Sequence, residues 1–507
     1  ISLGSMAAAS SRLPSAAAAK LRAFSKSGAD VVVVGAGIAG VACAHYLSRL
    51  HNAKVLLVER AAPLAYTSAL STECYRNFWA GSAPMTEFMN HSIDLLEERA
   101  RECNNAFGMN RRGYWFLSAT EQGAQSQLHT ASEAAKVLPG AVRVYTDGDH
   151  GQRYTPDVLF DAPTDAVSLF HGREAVAAFT SDWPGIISPQ VQSLMHCGRS
   201  GWMSAQQMGA HLLEQAREAG TMTLCPGELV RVHAESGRVH AVSLTTDGAE
   251  AETVACQVVV NCAGPFAAEL DLLFQAASGG GGGARRLPLL NEVHAKGVLR
   301  DVRGVVPSTA PMMIWQDAVD LGWSENERDE LRAMGGFEAS LASSLPAGAH
   351  FRPYAGTPTS LIMLWEAVHA DVAVPCPPPE SPTLRSELYG ELLLRALSKM
   401  VPRLREYFEE DGTMTASVSV DGGYYTKTPD NMPLIGPACG APSGAFVCAG
   451  LSGYGVMAAN AAGHLLAQHV CGAPLPRYAA DFHPARWEQT DYLLSVQGGG
   501  VSKGLQI

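Results

Sequence analysis

The rhythm of apolar and polar positions changes several times along this 507-residue chain, and each change marks an element. Residues 31–34 are an unbroken run of valines, as in a strand buried on both faces. Residues 39–50 read as a helix and 54–58 as a second buried strand. Between 85 and 103, Met85, Phe88, Met89, Ile93, Leu95 and Leu96 recur at helical spacing. A strand over 111–118 follows, then a helix over 204–220 opened by Ser204, then short strands over 229–233, 239–245 and 254–261. Strict alternation near 290–300 puts Glu292, His294 and Lys296 on one face of a strand. Ser324 opens a charged surface helix, and 350–366 read as two strands about a Gly/Pro turn. A proline-rich link over 375–382 leads to an amphipathic helix over 384–407. Residues 445–457 run from a strand through a glycine loop into a last helix.

The first strand, helix and second strand carry chemistry. Gly35, Gly37 and Gly40 form G-x-G-x-x-G between strand and helix. Such glycines serve a tight turn, a close backbone approach to a pyrophosphate, and close helix–strand packing. Ala39, just after Ile38, opens the helix, whose N-terminus favours phosphate. Glu59 ends the second strand 19 residues after Gly40, where a carboxylate can accept ribose hydroxyls. The set predicts a dinucleotide site in an α/β fold. Ser68, Ser71 and Thr72 follow as phosphate donors or helix caps.

Composition narrows the partners. A formal charge of −12 argues against nucleic acid. The 11 cysteines are scattered without a C-x-x-C, which predicts neither a disulfide framework nor a zinc site. No apolar run is long enough to suggest a membrane span. Residues 1–5 read as a tag scar before Met6. From there to Asp30 the chain has Arg12, Lys20, Arg22 and Lys26 and no acid, which predicts a mitochondrial or plastid transit leader over 6–28. His196 and Cys197 are adjacent, so on a strand they point to opposite faces and form no dyad.

Four stretches in order resemble the D-amino-acid oxidase/glycine oxidase/sarcosine oxidase family of FAD-dependent oxidoreductases. They are the fingerprint ending in Glu59-Arg60, V-V-V-N-C-A-G-P-F-A, T-P-D-N-M-P-L-I-G-P and C-A-G-L-S-G-Y-G-V-M. The resemblance implies an α/β fold: a Rossmann-like FAD-binding domain and a substrate domain on a mainly antiparallel sheet. The FAD domain would comprise 29–110, 203–280 and 425–495, and the substrate domain 111–202 and 285–424. It also implies the contacts. Gly35, Gly37, Ile38, Ala39, Gly40, Ala263 and Gly264 would hold the pyrophosphate region, and Glu59 with Arg60 the ribose. Ser71 and Thr72 would add hydroxyls, and Leu229 or Val230 would meet the adenine. Gly450, Gly453, Gly455, Val456 and Met457 would face the flavin.

The same resemblance sets expectations for chemistry. Covalent relatives carry a cysteine where this chain has Gly423, so FAD is expected to be non-covalent, with Cys74 as the other attachment point. Fast oxidases carry a lysine on the strand corresponding to 361–364, which here reads L-I-M-L; that favours a dehydrogenase unless Lys296 reaches the flavin. Arg352 is expected to clamp a substrate carboxylate, with Arg76, Tyr454 and His294 nearby. The implied activity is oxidation of the C–N bond of an amino acid or N-substituted amino acid. Electrons would pass to a quinone, a flavoprotein or dioxygen. The alternatives are a 2-hydroxy-acid or polyol-phosphate dehydrogenase, with His294 as base, and a respiratory-complex assembly protein with structural FAD.

Overall fold

A computed structural model describes residues 21, 24–79, 81–138, 140–149, 152–156, 158–246, 250–279, 285–354, 358–371, 386–408 and 414–497. The proline-rich link at 375–382, glycines 280–283 and most of the leader lie outside them.

The valine run becomes the inner strand of a six-stranded sheet. The strand order is Leu434–Pro437, Ala445–Ala449, Val258–Asn261, Val31–Val34, Val55–Glu59, Met222–Pro226, parallel except for the first. Helices Ile38–His51, Ala83–Glu102, Ala205–Glu218 and Gly455–Cys471 pack in one apolar core with Val31, Val33, Val55 and Leu57. Val32, Val34, Leu56 and Val58 point the other way, toward an antiparallel layer of Glu228–Glu235, Arg238–Thr245 and Glu252–Ala255. Burial on both faces explains why this sheet reads as continuous apolar runs.

The second sheet has nine strands and six of its eight pairings are antiparallel. Leu290–Arg300 lies between Val418–Lys427 and Ser360–Asp371, so His294 and Lys296 sit well inside the sheet. The architecture is therefore α/β with a dinucleotide-type sheet and a mainly antiparallel one.

Several elements differ from the sequence reading. The stretch expected as one strand over 254–261 is two, Glu252–Ala255 and Val258–Asn261, in separate sheets. The helix expected over 384–407 ends at Leu397, and Pro402 opens a separate 3-10 turn, Pro402–Tyr407. Proline has no N–H to continue a helix. Leu21 and Phe24, placed by sequence in the leader, are buried with Val32, Val34 and Leu56. Ser324 closes its capping box with Glu327 as expected.

Candidate active site

The G-x-G-x-x-G turn shows why each glycine is needed. Gly35 has φ +102°, and a Cβ there would lie 2.4 Å from the Cys262 carbonyl oxygen. A Cβ on Gly40 would lie 1.8 Å from the Gly35 oxygen. Gly37 differs, because its Cβ would meet only the Ser68 Oγ, at 3.6 Å, so it guards open space.

That space is a cleft of about 460 Å³ running along the ends of the parallel strands. Of the residues expected at FAD, Gly35, Gly37, Ile38, Ala39, Glu59, Arg60, Leu229, Ala263, Gly264, Gly450 and Gly455 line it. Glu59 is set rigidly, with its oxygens accepting from the N–H groups of Ala36 at 2.7 Å and Ala61 at 2.9 Å. Each oxygen keeps a further lone-pair direction for a ribose hydroxyl. Arg60 lies over the Phe266 ring at 4.3 Å. Helices Ile38–His51 and Gly455–Cys471 both start at the cleft with no acid in the first turn, and at the first of them the Ile38 N–H meets the neutral Ser68 Oγ at 3.0 Å. Their partial positive charge is therefore available to an anion.

The cleft is polar where a ligand would need it. Thr67 Oγ1, Tyr424 Oη and Ser452 Oγ are buried, lack a protein hydrogen-bond partner, and belong to residues lining it. Buried polar atoms are normally satisfied, so three orphans along one cleft match a bound polar molecule. FAD fits this lining: a glycine turn for its pyrophosphate, a fixed carboxylate for its ribose, and a second helix start beyond. Thr67, Tyr424 and Ser452 were missed in sequence. Tyr424 lies in the Y-Y-T-K-T run that leads into one quoted motif, but nothing in the pattern shows which side it faces.

A smaller cavity of about 60 Å³ shares Ile38, Thr67, Ser68, Ser452 and Gly455 with the cleft. Ser71, Thr72, Gly453 and Val456 line it as expected, together with His294, Lys296, Leu364, Gly423 and Tyr425. Lys296 Nζ donates to the Leu70 carbonyl at 2.9 Å and lies 3.3 Å from Asp421. His294 stacks on Tyr425 at 3.9 Å, and its Nε2 pairs with Glu292 at 2.7 Å. Burial pushes His294 below the ordinary histidine range, so the imidazole is neutral near pH 7. Burial works against ionising Glu292, but hydrogen bonds from His294 and Lys427 bring it down to about 2.

Six expected residues line neither cavity. Arg352 is 1% exposed; its fork donates to the Thr72 and Pro353 carbonyls and to Glu73 at 3.2 Å. A guanidinium so engaged is not presented to a substrate. Arg76 is buried over the Trp79 ring at 4.7 Å. Tyr454 turns its hydroxyl to the Asn431 carbonyl at 2.7 Å, away from the position expected of it. Val230 is 42% exposed on the outer face of its strand. Met457 lies inside its helix, its carbonyl accepting from Ser92. Gly40 touches neither cavity; its role is the close packing that shapes the turn.

Comparison with known proteins agrees with this geometry. The DAO family profile, described as FAD dependent oxidoreductase, matches residues 30–281 and 323–469. No curated protein sequence matches significantly. Among solved structures, L-proline dehydrogenase from P. horikoshii is similar with a TM-score of 0.63 at 18% identity, covering 91% of this chain and 98% of its own. Glycine oxidase from Geobacillus kaustophilus has a TM-score of 0.63 at 17% identity, covering 90% and 98%. FAD-bound L-alpha-glycerophosphate oxidase from Mycoplasma pneumoniae has 0.61 at 13%, covering 89% and 97%. At these identities the likeness concerns the fold.

Proposed function

This chain belongs to the DAO family of FAD-dependent oxidoreductases, and we propose that it oxidises the C–N bond of an amino acid or N-substituted amino acid. The observation that carries the reading is the small cavity, where a cation and a neutral imidazole meet the start of helix Gly455–Cys471. Relatives named for proline and glycine support the substrate class.

Gly35, Gly37 and Gly264 would hold the FAD pyrophosphate, Glu59 its ribose, Leu229 its adenine, and Gly455 with Val456 its flavin end. When bound, FAD supplies the acceptor for a hydride from the carbon next to nitrogen. The chain's own part is placement. Lys296 Nζ donates one N–H to the Leu70 carbonyl and forms an ion pair with Asp421, and a further N–H serves the substrate carboxylate. Leu364 and Val456 keep the cavity apolar, which favours the neutral amine required for oxidation. No side-chain base is needed, because near-attack placement can supply roughly 7–11 kcal/mol of the barrier. Gly423 lines the cavity, while Cys74 lines neither cavity and its thiol bonds the Thr72 carbonyl. FAD is therefore held without a covalent bond, and acid precipitation should leave a colourless pellet and a yellow supernatant.

The test of function is anaerobic mixing with a panel of amino, N-methylamino and 2-hydroxy acids while following the visible flavin band. Bleaching by amino acids is expected. Bleaching by hydroxy acids alone would overturn the reading, and bleaching by none would favour structural FAD. The hydroxy-acid reading draws on the His294–Glu292 pair, since a hydroxyl needs a base and a carboxylate orients one. His294→Ala separates the two: a loss below about tenfold fits amine oxidation, and near-complete loss fits the alcohol.

A further inference from the structure

We propose that Cys43, Cys262 and Cys448 form a binding site for one soft monovalent cation, Cu(I), beneath the floor of the FAD cleft. The three thiols come from distant parts of the chain. Cys43 lies on helix Ile38–His51, Cys262 directly follows strand Val258–Asn261, and Cys448 lies on strand Ala445–Ala449. Gly40 brings them together: even its missing Cβ would lie only 3.1 Å from the Cys262 Cβ, so the helix rides close to the strand ends. All three sulfurs lie within 4.8 Å of one another, and those of Cys43 and Cys262 are 3.7 Å apart.

Size and chemistry select the ion. A metal about 2.3 Å from each of three sulfurs needs those sulfurs roughly 4 Å apart, and the 3.7 Å pair within a trio no wider than 4.8 Å accommodates it. Soft thiolates select Cu(I) among physiological ions. Structural zinc takes four ligands, and among the described residues no fourth His, Cys, Asp or Glu atom joins the group. Binding releases one proton to solvent for each sulfur that ligates as thiolate, and copper stays Cu(I) throughout.

The entry path follows from the lining. Cys262 and Cys448 line the cleft, whereas Cys43 lies behind them. Copper therefore enters while the cleft is open, and FAD closes over it. This rests on the cleft being the FAD site, so FAD content is measured separately in every sample.

The experiment uses the full chain, FAD-stripped and FAD-loaded, without oxygen. Cu(I) is supplied as its acetonitrile complex and then challenged with bicinchoninate. FAD-stripped protein is expected to retain one copper per chain, and FAD-loaded protein much less. Cys43→Ser, Cys262→Ser and Cys448→Ser should each lose the retained copper, while Cys103→Ser and Cys471→Ser should keep it. Copper that resists all three cluster substitutions, or that no sample retains, overturns the site. Equal uptake with and without FAD overturns the entry path. X-ray absorption of the loaded wild-type chain decides even if a variant misfolds. Three sulfur neighbours support the site, and two sulfurs or any nitrogen or oxygen shell refutes it.

Discussion

Lys296 and Leu364 stand opposite one another on neighbouring antiparallel strands, and both line the small cavity. The strand expected to carry a lysine has none, yet its partner presents one to the same space. That removes the reason for expecting a poor reaction with dioxygen. A fixed cation stabilises the anion formed when dioxygen takes its first electron. Lys296→Met is expected to slow reoxidation by dioxygen about tenfold or more, a loss of about 1.4 kcal/mol or more. Stopped-flow mixing of reduced enzyme with aerated buffer measures it. An unchanged rate, with faster reoxidation by a quinone analogue, would make the protein a dehydrogenase.

Arg352 is tied to Glu73 and to the Thr72 carbonyl, which it holds against the cavity wall. Removing one partner of a buried ion pair costs roughly 3–5 kcal/mol. Arg352→Ala should therefore lower the melting temperature markedly, and Arg352→Lys, which keeps the charge but loses the fork, should lower it less. The Michaelis constant of the Lys variant should stay near that of the wild type. A steep rise in that constant with unchanged melting would show that Arg352 reaches the substrate after all.

Gly37 and Gly40 should separate binding from folding. Gly40→Ala drives a Cβ into the Gly35 carbonyl, and overpacking of this kind costs roughly 1–3 kcal/mol or more. Gly37→Ala has room at its own backbone and intrudes only on the cleft. Thermal melts of FAD-free protein should show a loss for Gly40→Ala and little change for Gly37→Ala. FAD titration should show weaker binding for Gly37→Ala. Equal melting losses would place Gly37 in the packing.

We propose that any organellar leader ends before Leu21. Leu21 is 1% exposed and Phe24 9%, both in the core beneath the antiparallel layer. A chain starting at Leu21 should melt like the full chain, whereas one starting at Gly28 should lose roughly 2–5 kcal/mol from the emptied site. A fluorescent fusion of residues 6–20 should reach mitochondria or plastids; a diffuse signal would refute targeting by this segment.

The amino-acid order by itself determined the dinucleotide half of this protein. Valine runs, a glycine turn and Glu59 are local in sequence, and their chemistry depends on neighbours a few residues away. The second half was legible only as elements. Alternation showed that Glu292, His294 and Lys296 share a face, while strand pairing decided that His294 and Lys296 line a cavity shared with a helix start. Arg352 looked like a carboxylate clamp because its sequence cannot reveal Glu73 waiting beside it. Tyr454 looked substrate-facing because rotamer direction depends on the Asn431 carbonyl that captures its hydroxyl. The three cysteines looked scattered, and close helix–strand packing at Gly40 gathered their sulfurs. Contacts between residues far apart in the chain follow from how sheets and helices dock. Only the tertiary structure could decide them.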